Sequence, residues 1–288
     1  MAADGGGPSW WLWPVALFAV SFAIGIVAVL AGVGGGVLFV PLVGGFFPFH
    51  LDFVRGAGLL LALTGALAAG PELLRSGLAS LRLTMPLALV GSVTSIIGAL
   101  LGFMLPTGAL QSVLGIIILA LVAVMIGAKR VDHPSVPRPD SLAALFGLHG
   151  SFHDSAAAQD IDWKVHRTPA GLVAFGIIGL IGGLFGLGAG WANVPALNLL
   201  MGAPIKLAVG TSGLAISIIN TSAAWVYIHR GAVLPILVVP SIIGVMLGAR
   251  LGARLLRIAP AALVRRIVIF LLITAGIRSL VLGFDAWL

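Results

Sequence analysis

The chain has 288 residues, of which 60% are hydrophobic and only 9% charged, with a formal net charge of +7. A water-soluble domain of this length needs far more charge to cover its surface, and several apolar runs exceed the ~20 residues that cross a bilayer. The expected class is therefore an all-α polytopic membrane protein, since the short alternating strands of a β-barrel are missing. The basic residues are scattered at the ends of apolar runs, which fits contact with anionic lipid and argues against a nucleic-acid partner. With no cysteine, disulfides, thiolate metal sites and cysteine catalysis are excluded.

In chain order, residues 1–10 form a polar tail with Asp4 and no Lys or Arg before the first apolar run. That is the wrong charge for a cleavable signal, and Trp10, Trp11 and Trp13 read as an interfacial anchor. A first repeat, 11–128, holds spans at 11–31, 53–70, 83–104 and 109–128. A polar linker, 129–168, follows. A second repeat, 169–288, holds spans at 169–187, 207–228, 232–256 and 262–284. Two apolar pieces, 37–47 and 191–201, are too short to cross as helices. They read as half-helices or re-entrant segments, because irregular backbone at membrane depth survives only where protein or a cavity surrounds it. In the linker, His149, His153 and Asp154 have the spacing of a metal pair if the stretch is helical; the competing reading is a solvated loop. The cluster Arg250, Arg254, Arg257, Arg265 and Arg266 favours the cytoplasm and puts the N-terminus outside. Four spans per half give parallel repeats; an odd number of crossings gives inverted ones. The sequence leaves this open.

The two repeats carry the same phrase 154 residues apart: Gly32-Val-Gly-Gly-Gly-Val-Leu-Phe-Val-Pro41 and Gly186-Leu-Gly-Ala-Gly-Trp-Ala-Asn-Val-Pro195. The offset continues through Gly56 and Gly210, Gly77 and Gly231, Pro86 and Pro240, and Pro106 and Pro260. Paired glycine breaks in duplicated halves point to a transporter with its site where the breaks meet. A half-helix beginning at Gly34, Gly35 and Gly36, or at Gly188, Ala189 and Gly190, aims free N–H groups and its positive dipole end at whatever lies beside the break. Such an end holds small anions. The alternative is tight helix packing, for which membrane glycines also serve.

Polar candidates cluster in the second half: Asn193, Thr211, Ser212 and Asn220, with Trp191 as a cavity wall. Neutral donors suit an oxyanion without burying a charge; interhelical hydrogen bonding is the alternative. Arg55, Arg75, Arg82, His229 and Arg230 lie near span ends, either attracting and gating an anion or snorkelling to headgroups. Mid-span carboxylates, frequent in ion-coupled carriers, are missing; only Asp52 and Glu72 stand near, at span ends. Outward movement of an anion needs no coupled ion across an inside-negative membrane, which stabilises an expelled charge by about 2.3 kcal/mol per 100 mV. Gly244, Gly248 and Gly252, like Gly91, Ser95 and Ala99, make small-residue faces for close helix contact within the chain or across a homodimer.

Gly32-Val-Gly-Gly-Gly with Pro41, its echo ending at Pro195, and Ala208-Val-Gly-Thr-Ser212 resemble the TauE/SafE family of sulfite and organosulfonate exporters. The resemblance covers nearly the whole chain outside the linker. It implies a bacterial inner-membrane permease of seven or eight helices, arisen by duplication, moving small sulfur-containing anions without a cofactor. The first half departs from the family pattern, with Arg55-Gly-Ala-Gly58 where Gly-Thr-Ser is often found. Competing expectations are a permease for another small anion, a non-transporting scaffold, and an intramembrane serine hydrolase. The last would use Ser212 in Gly210-Thr-Ser-Gly213 with His229 as base.

Overall fold

The computed structural model describes residues 11–31, 35–75, 79–127, 136, 138–154, 159–188, 190–255 and 261–285. In chain order the elements are α1 (Leu12–Ala31), α2 (Gly35–Phe46), α3 (Leu51–Arg75), α4 (Leu81–Met104), α5 (Thr107–Gly127), α6 (Ser141–Leu145), β1 (His149–Asp154), β2 (Gln159–Lys164), α7 (Thr168–Phe185), α8 (Gly190–Pro195), α9 (Ile205–His229), α10 (Pro235–Leu255) and α11 (Ala261–Asp285). A π-helical turn, Ala196–Leu200, extends α8. Eight of the helices have 18 to 25 residues and fall on the eight expected spans. Among the described residues α4, α7 and α9 are each long and apolar enough to cross a membrane.

The chain is packed for lipid rather than water. Along α4, Met85, Leu89, Val93 and Ile96 are exposed at helical spacing, while Gly91, Ser95, Gly98 and Gly102 are buried. Lipid tails are as apolar as leucine, so large side chains gain nothing by turning inward; small ones let backbones approach. A Cβ on Gly183 would collide with the Ser95 carbonyl, and one on Gly179 with the Gly91 carbonyl. Gly91 sits against Phe175, and Gly98 and Gly102 against Leu184, so α4 and α7 run parallel. The other long seam has the same form: Gly244 meets Phe18, Gly248 meets Phe22 and Gly25 meets Ala249, so α1 and α10 run parallel. Gly244 and Gly248 thus spend their small size on an intramolecular contact.

Two further contacts fix the remaining directions. Gly56, near the start of α3, lies against Tyr227 and Ala232 at the end of α9, so these helices are antiparallel. Gly115 meets Gly276 and Gly283 meets Ser112, so α5 and α11 are antiparallel as well. The short helix α2 folds back along α1: Phe47 and Phe49, just past its end, place their rings 6.0 and 5.8 Å from Trp13 at the start of α1. The pair α1–α2 therefore starts and ends on one face, and α3, α4 and α5 then carry the chain to the other. Helix α7 sets out from that opposite face.

Arg55 is fully buried. Its guanidinium donates to the Leu184 carbonyl at 2.8 Å and the Gly102 carbonyl at 3.1 Å, and pairs with Asp52 one turn earlier. It also lies 5.4 Å from the Phe103 ring and 5.7 Å from that of Tyr227. One side chain on α3 thus joins the last turns of α4, α7 and α9. The reading of Arg55 as a snorkelling or anion-attracting cation is corrected: it meets neither headgroup nor solvent, because the orphan carbonyls at two helix ends take its protons.

The linker differs from a plain solvated loop. β1 and β2 form an antiparallel hairpin with His149 opposite Lys164 and His153 opposite Asp160. Leu148, Trp163 and Val165 are buried with Leu83, Leu87, Met201 and Ala203 of the helical body. Asp140 accepts from the Thr168 N–H at 3.2 Å and its hydroxyl at 2.8 Å, anchoring the start of α7. The helical His149/His153 metal pair is likewise corrected. On a strand, residues four apart stand ~13 Å apart in backbone, too far to share an ion as neighbouring turns of a helix do.

Two expected outcomes follow. Gly183→Leu, which drives a side chain into the Ser95 carbonyl, lowers the melting temperature of detergent-purified protein by several degrees, as overpacking by ~1–3 kcal/mol does. Gly65→Leu, at a position with nothing within 4 Å, leaves it unchanged. Arg55→Met strips donors from two carbonyls and leaves Asp52 with His50 alone, a loss on the order of 3 kcal/mol. Arg55→Lys does not restore it, since an ammonium cannot span acceptors on three helices.

Candidate functional site

The two glycine phrases come together at the centre of the bundle. A Cβ on Gly36, the second residue of α2, would stand 2.6 Å from the Leu187 carbonyl and 2.7 Å from that of Gly58. Gly35, at the helix start, faces Val245 at 3.7 Å, near the midpoint of α10. In the second phrase α7 stops at Gly186 (φ 64°), and Gly188 (φ 68°) turns the chain again before Gly190 opens α8. Both angles lie in the left-handed region that favours glycine. Gly186 rests on the Arg55 backbone and Gly188 on Ala62, near the midpoint of α3. The first N–H groups of α2, Gly35 to Leu38, have no partners within their own helix, and this end lies against the second break. Gly34 and Ala189 lie outside the described residues.

Beside the second break stand two asparagines. Asn193 on α8 is fully buried and Asn220 on α9 is 1% exposed. Neither amide has a hydrogen-bond partner at its nitrogen or its oxygen. Asn220 Nδ2 lies 3.4 Å from where a Cβ on Gly188 would be, and α8 packs on α9. A buried, unpaired amide costs about 1–3 kcal/mol; two on adjoining elements hold unused donors and acceptors in an apolar core. Thr211 and Ser212 are also buried on α9. Thr211 Oγ1 accepts from the Ser80 N–H at 3.3 Å, and Ser80 caps α4 by accepting from the Leu83 N–H. Trp191 belongs to α8, though its side chain lies outside the described set.

The cations do not gather into one vestibule. Arg82 is exposed at the start of α4. His229 and Arg230 are exposed at the end of α9, with His229 5.0 Å from the Trp225 ring and Arg230 5.9 Å from that of Phe103. Ser80 meeting Thr211 and Ser95 meeting Ile219 make α4 and α9 parallel, so Arg82 and the His229–Arg230 pair sit at opposite ends. Arg75 ends α3 at the Arg82 end. The geometry also rules out the Ser212–His229 dyad. Both lie on α9, seventeen residues apart, hence ~25 Å along one axis.

Sequence reasoning missed several contributors. Gly58 and Ala62 of α3 form the wall on which both breaks lean. Tyr227 donates to the Gly183 carbonyl at 2.9 Å, one turn before the break. Gly58 was visible in the chain only as a repeat equivalent of Ser212. Its use is a cross-half contact that no linear spacing encodes.

Comparison with known proteins agrees with this architecture. The chain matches the family described as sulfite exporter TauE/SafE over residues 17–279. It is 26% identical to a probable membrane transporter protein, ORF9, of Sinorhizobium sp, across 92% of this chain and 91% of that protein. It is 25% identical to the probable membrane transporter protein YunE of Bacillus subtilis (strain 168), across 90% and 95%. A third relative, the probable membrane transporter protein YfcA of Escherichia coli (strain K12), is 26% identical across 94% and 89%. No solved structure matches the chain. With eight long helices, an apolar exterior and a family match over most of its length, this multi-pass membrane protein belongs to the TauE/SafE family of membrane transporters.

Proposed function

We propose that the chain is a permease that carries small sulfur-containing anions, such as sulfite or sulfoacetate, outward across a bacterial inner membrane by alternating access. The observation that carries the site is the unpaired amides of Asn193 and Asn220, buried beside the break at Gly188 and Gly190. Amide N–H groups donate to sulfonate oxygens without burying a fixed charge. The N-terminus of α2, through Gly35 and Gly36, adds a positive dipole end. Thr211 and Ser212 are further buried polar groups on α9, and Trp191 belongs to α8. Arg82 and Arg75 at one face, and His229 and Arg230 at the other, gather anions at the two mouths.

A duplicated, inverted plan supports the reading. The starts of α3 and α9, α4 and α10, and α5 and α11 are each offset by 154 residues: 51 and 205, 81 and 235, 107 and 261. The matched pairs α3/α9 and α5/α11 are antiparallel, as an axis in the membrane plane requires. Such axes bring discontinuous helices together at the midplane in many carriers. The half-length elements α2 and α8 are those discontinuous helices, and the anion is held where the start of α2 meets the second break at Leu187. Asp52 is tied to Arg55, so the membrane potential supplies the direction.

The test pairs transport with stability. Proteoliposomes with an imposed potential take part in sulfite and sulfonate flux, read with isotopic substrate. Sulfonates raise the melting temperature of purified protein, as any ligand of the folded state must; matched carboxylates do so less. A shift for carboxylates alone replaces the sulfur-anion class with another organic anion, and no shift for any anion removes the site. Asn193→Leu and Asn220→Leu lower flux at least tenfold while the melting temperature holds or rises, because an unpaired polar group leaves the core. A fall in melting temperature with flux intact returns both asparagines to a packing role. Ser212→Ala retains transport within a few-fold.

A further inference from the structure

We infer that the face carrying the β1–β2 hairpin is the cytoplasmic face, and that the start of α1 and the end of α11 lie on the opposite side of the membrane. The inference rests on helix directions and on the count of cations, independently of what the protein carries. Helix α3 starts on the face where α1 starts, α4 returns to it, and α5 leaves it. The linker therefore begins opposite the start of α1. Parallel packing of α7 on α4 and of α10 on α1, with α11 antiparallel to α5, then brings the end of α11 back to the face where α1 starts.

Sorting the charges by these helix ends separates them sharply. Of the thirteen Lys and Arg among the described residues, all but Arg55, Arg230 and Arg278 belong to the helix ends and connections on the linker face. The three exceptions are all accounted for on the other face. Arg55 is the buried tie described above, and Arg230 caps the end of α9. Arg278 donates to the Gly45 carbonyl at the end of α2, with its guanidinium 4.6 Å over the Phe46 ring. Among the described residues the linker face also carries five of the seven acids, all but Asp52 and Asp285. Their formal net charge is thus +5 on the linker face and +1 on the other. Lys and Arg in connections shorter than ~60 residues hold their side of the membrane cytoplasmic, against anionic headgroups.

This placement takes the odd-crossing alternative that the sequence leaves open, with the linker on the face opposite the start of α1. It comes from the α1–α2 hairpin, which makes each half cross an odd net number of times. It also gives the linker a location with consequences. The hairpin strand β2 and the following residues pack by Trp163 and Val165 near Met201, at the outer end of the α8 segment. The His166 ring nitrogen Nδ1 lies 3.0 Å from the Met201 carbonyl. The hairpin therefore borders the side from which an exported anion is loaded.

The chain contains no cysteine, so single cysteines report directly. Ser151→Cys in β1 and Thr107→Cys at the start of α5 are both at exposed positions. A membrane-impermeant sulfonated maleimide is applied to right-side-out and to inverted membrane vesicles, with detergent-solubilised protein as the full-reaction control. Thr107→Cys reacts in right-side-out vesicles, and Ser151→Cys at least tenfold faster in inverted ones. The reverse pattern overturns the cytoplasmic assignment while keeping the halves inverted. Reaction of both from one side overturns the odd-crossing topology itself. Since neither position touches the asparagine site, loss of transport in other variants has no bearing on this result.

Discussion

The fold depends on the satisfaction of backbone carbonyls by one arginine. In lipid a helix end with unpaired carbonyls costs several kcal/mol per group. Helix α7 must stop early to make the break at Gly186, which leaves the Leu184 carbonyl without an intrahelical donor. Helix α4 ends before Pro106, and a proline cannot supply the N–H that the Gly102 carbonyl would take. Arg55 donates to both. Its charge sits between two negative helix ends and beside Asp52, and the rings of Phe103 and Tyr227 cover its faces. The geometry of the second glycine break is thus tied to Arg55, with Tyr227 as a second donor to the Leu184 carbonyl at 3.4 Å.

That tie has no counterpart at the matched position of the second half. The residue 154 along from Arg55 is Val209, which is exposed. The residue matched to Asp52 is Lys206. The two halves share backbone plan and glycine seams but have diverged in polar content: the arginine tie belongs to the first, the asparagines to the second. The glycine seams serve the scaffold. Gly179 and Gly183 let α7 lie against α4 at backbone distance, and Gly244 and Gly248 do the same for α10 and α1. Each seam joins one half to the other, so neither half buries its small-residue face alone.

The asparagines show the opposite economy. A core that spends glycine on close packing nevertheless leaves two side-chain amides unpaired on adjoining elements. Burial without a partner is the expected signature of a group kept for a ligand, since stability by itself favours leucine at either position.

Much of the fold was legible in the chain because membrane segments obey local rules. Length and hydropathy place eight long helices, each within a few residues, and glycine followed by proline marks two short elements where the helix must break. The residues near the junction were legible for the same reason: Gly36, Gly188, Asn193 and Asn220 stand out as polar or flexible positions in apolar runs. Hydropathy carries no information on direction, however. Only tertiary contacts show that α2 folds back along α1, which inverts the second half and gathers the cations on one face. Nor could local pattern reveal that Arg55, at a span end, turns inward: its acceptors lie on helices up to 129 residues away. The sequence by itself determined which segments cross and where they break, because that depends on transfer of each segment from water to lipid. The tertiary structure decided which way they cross and which polar groups are buried without partners, because both depend on contacts between segments distant in the chain.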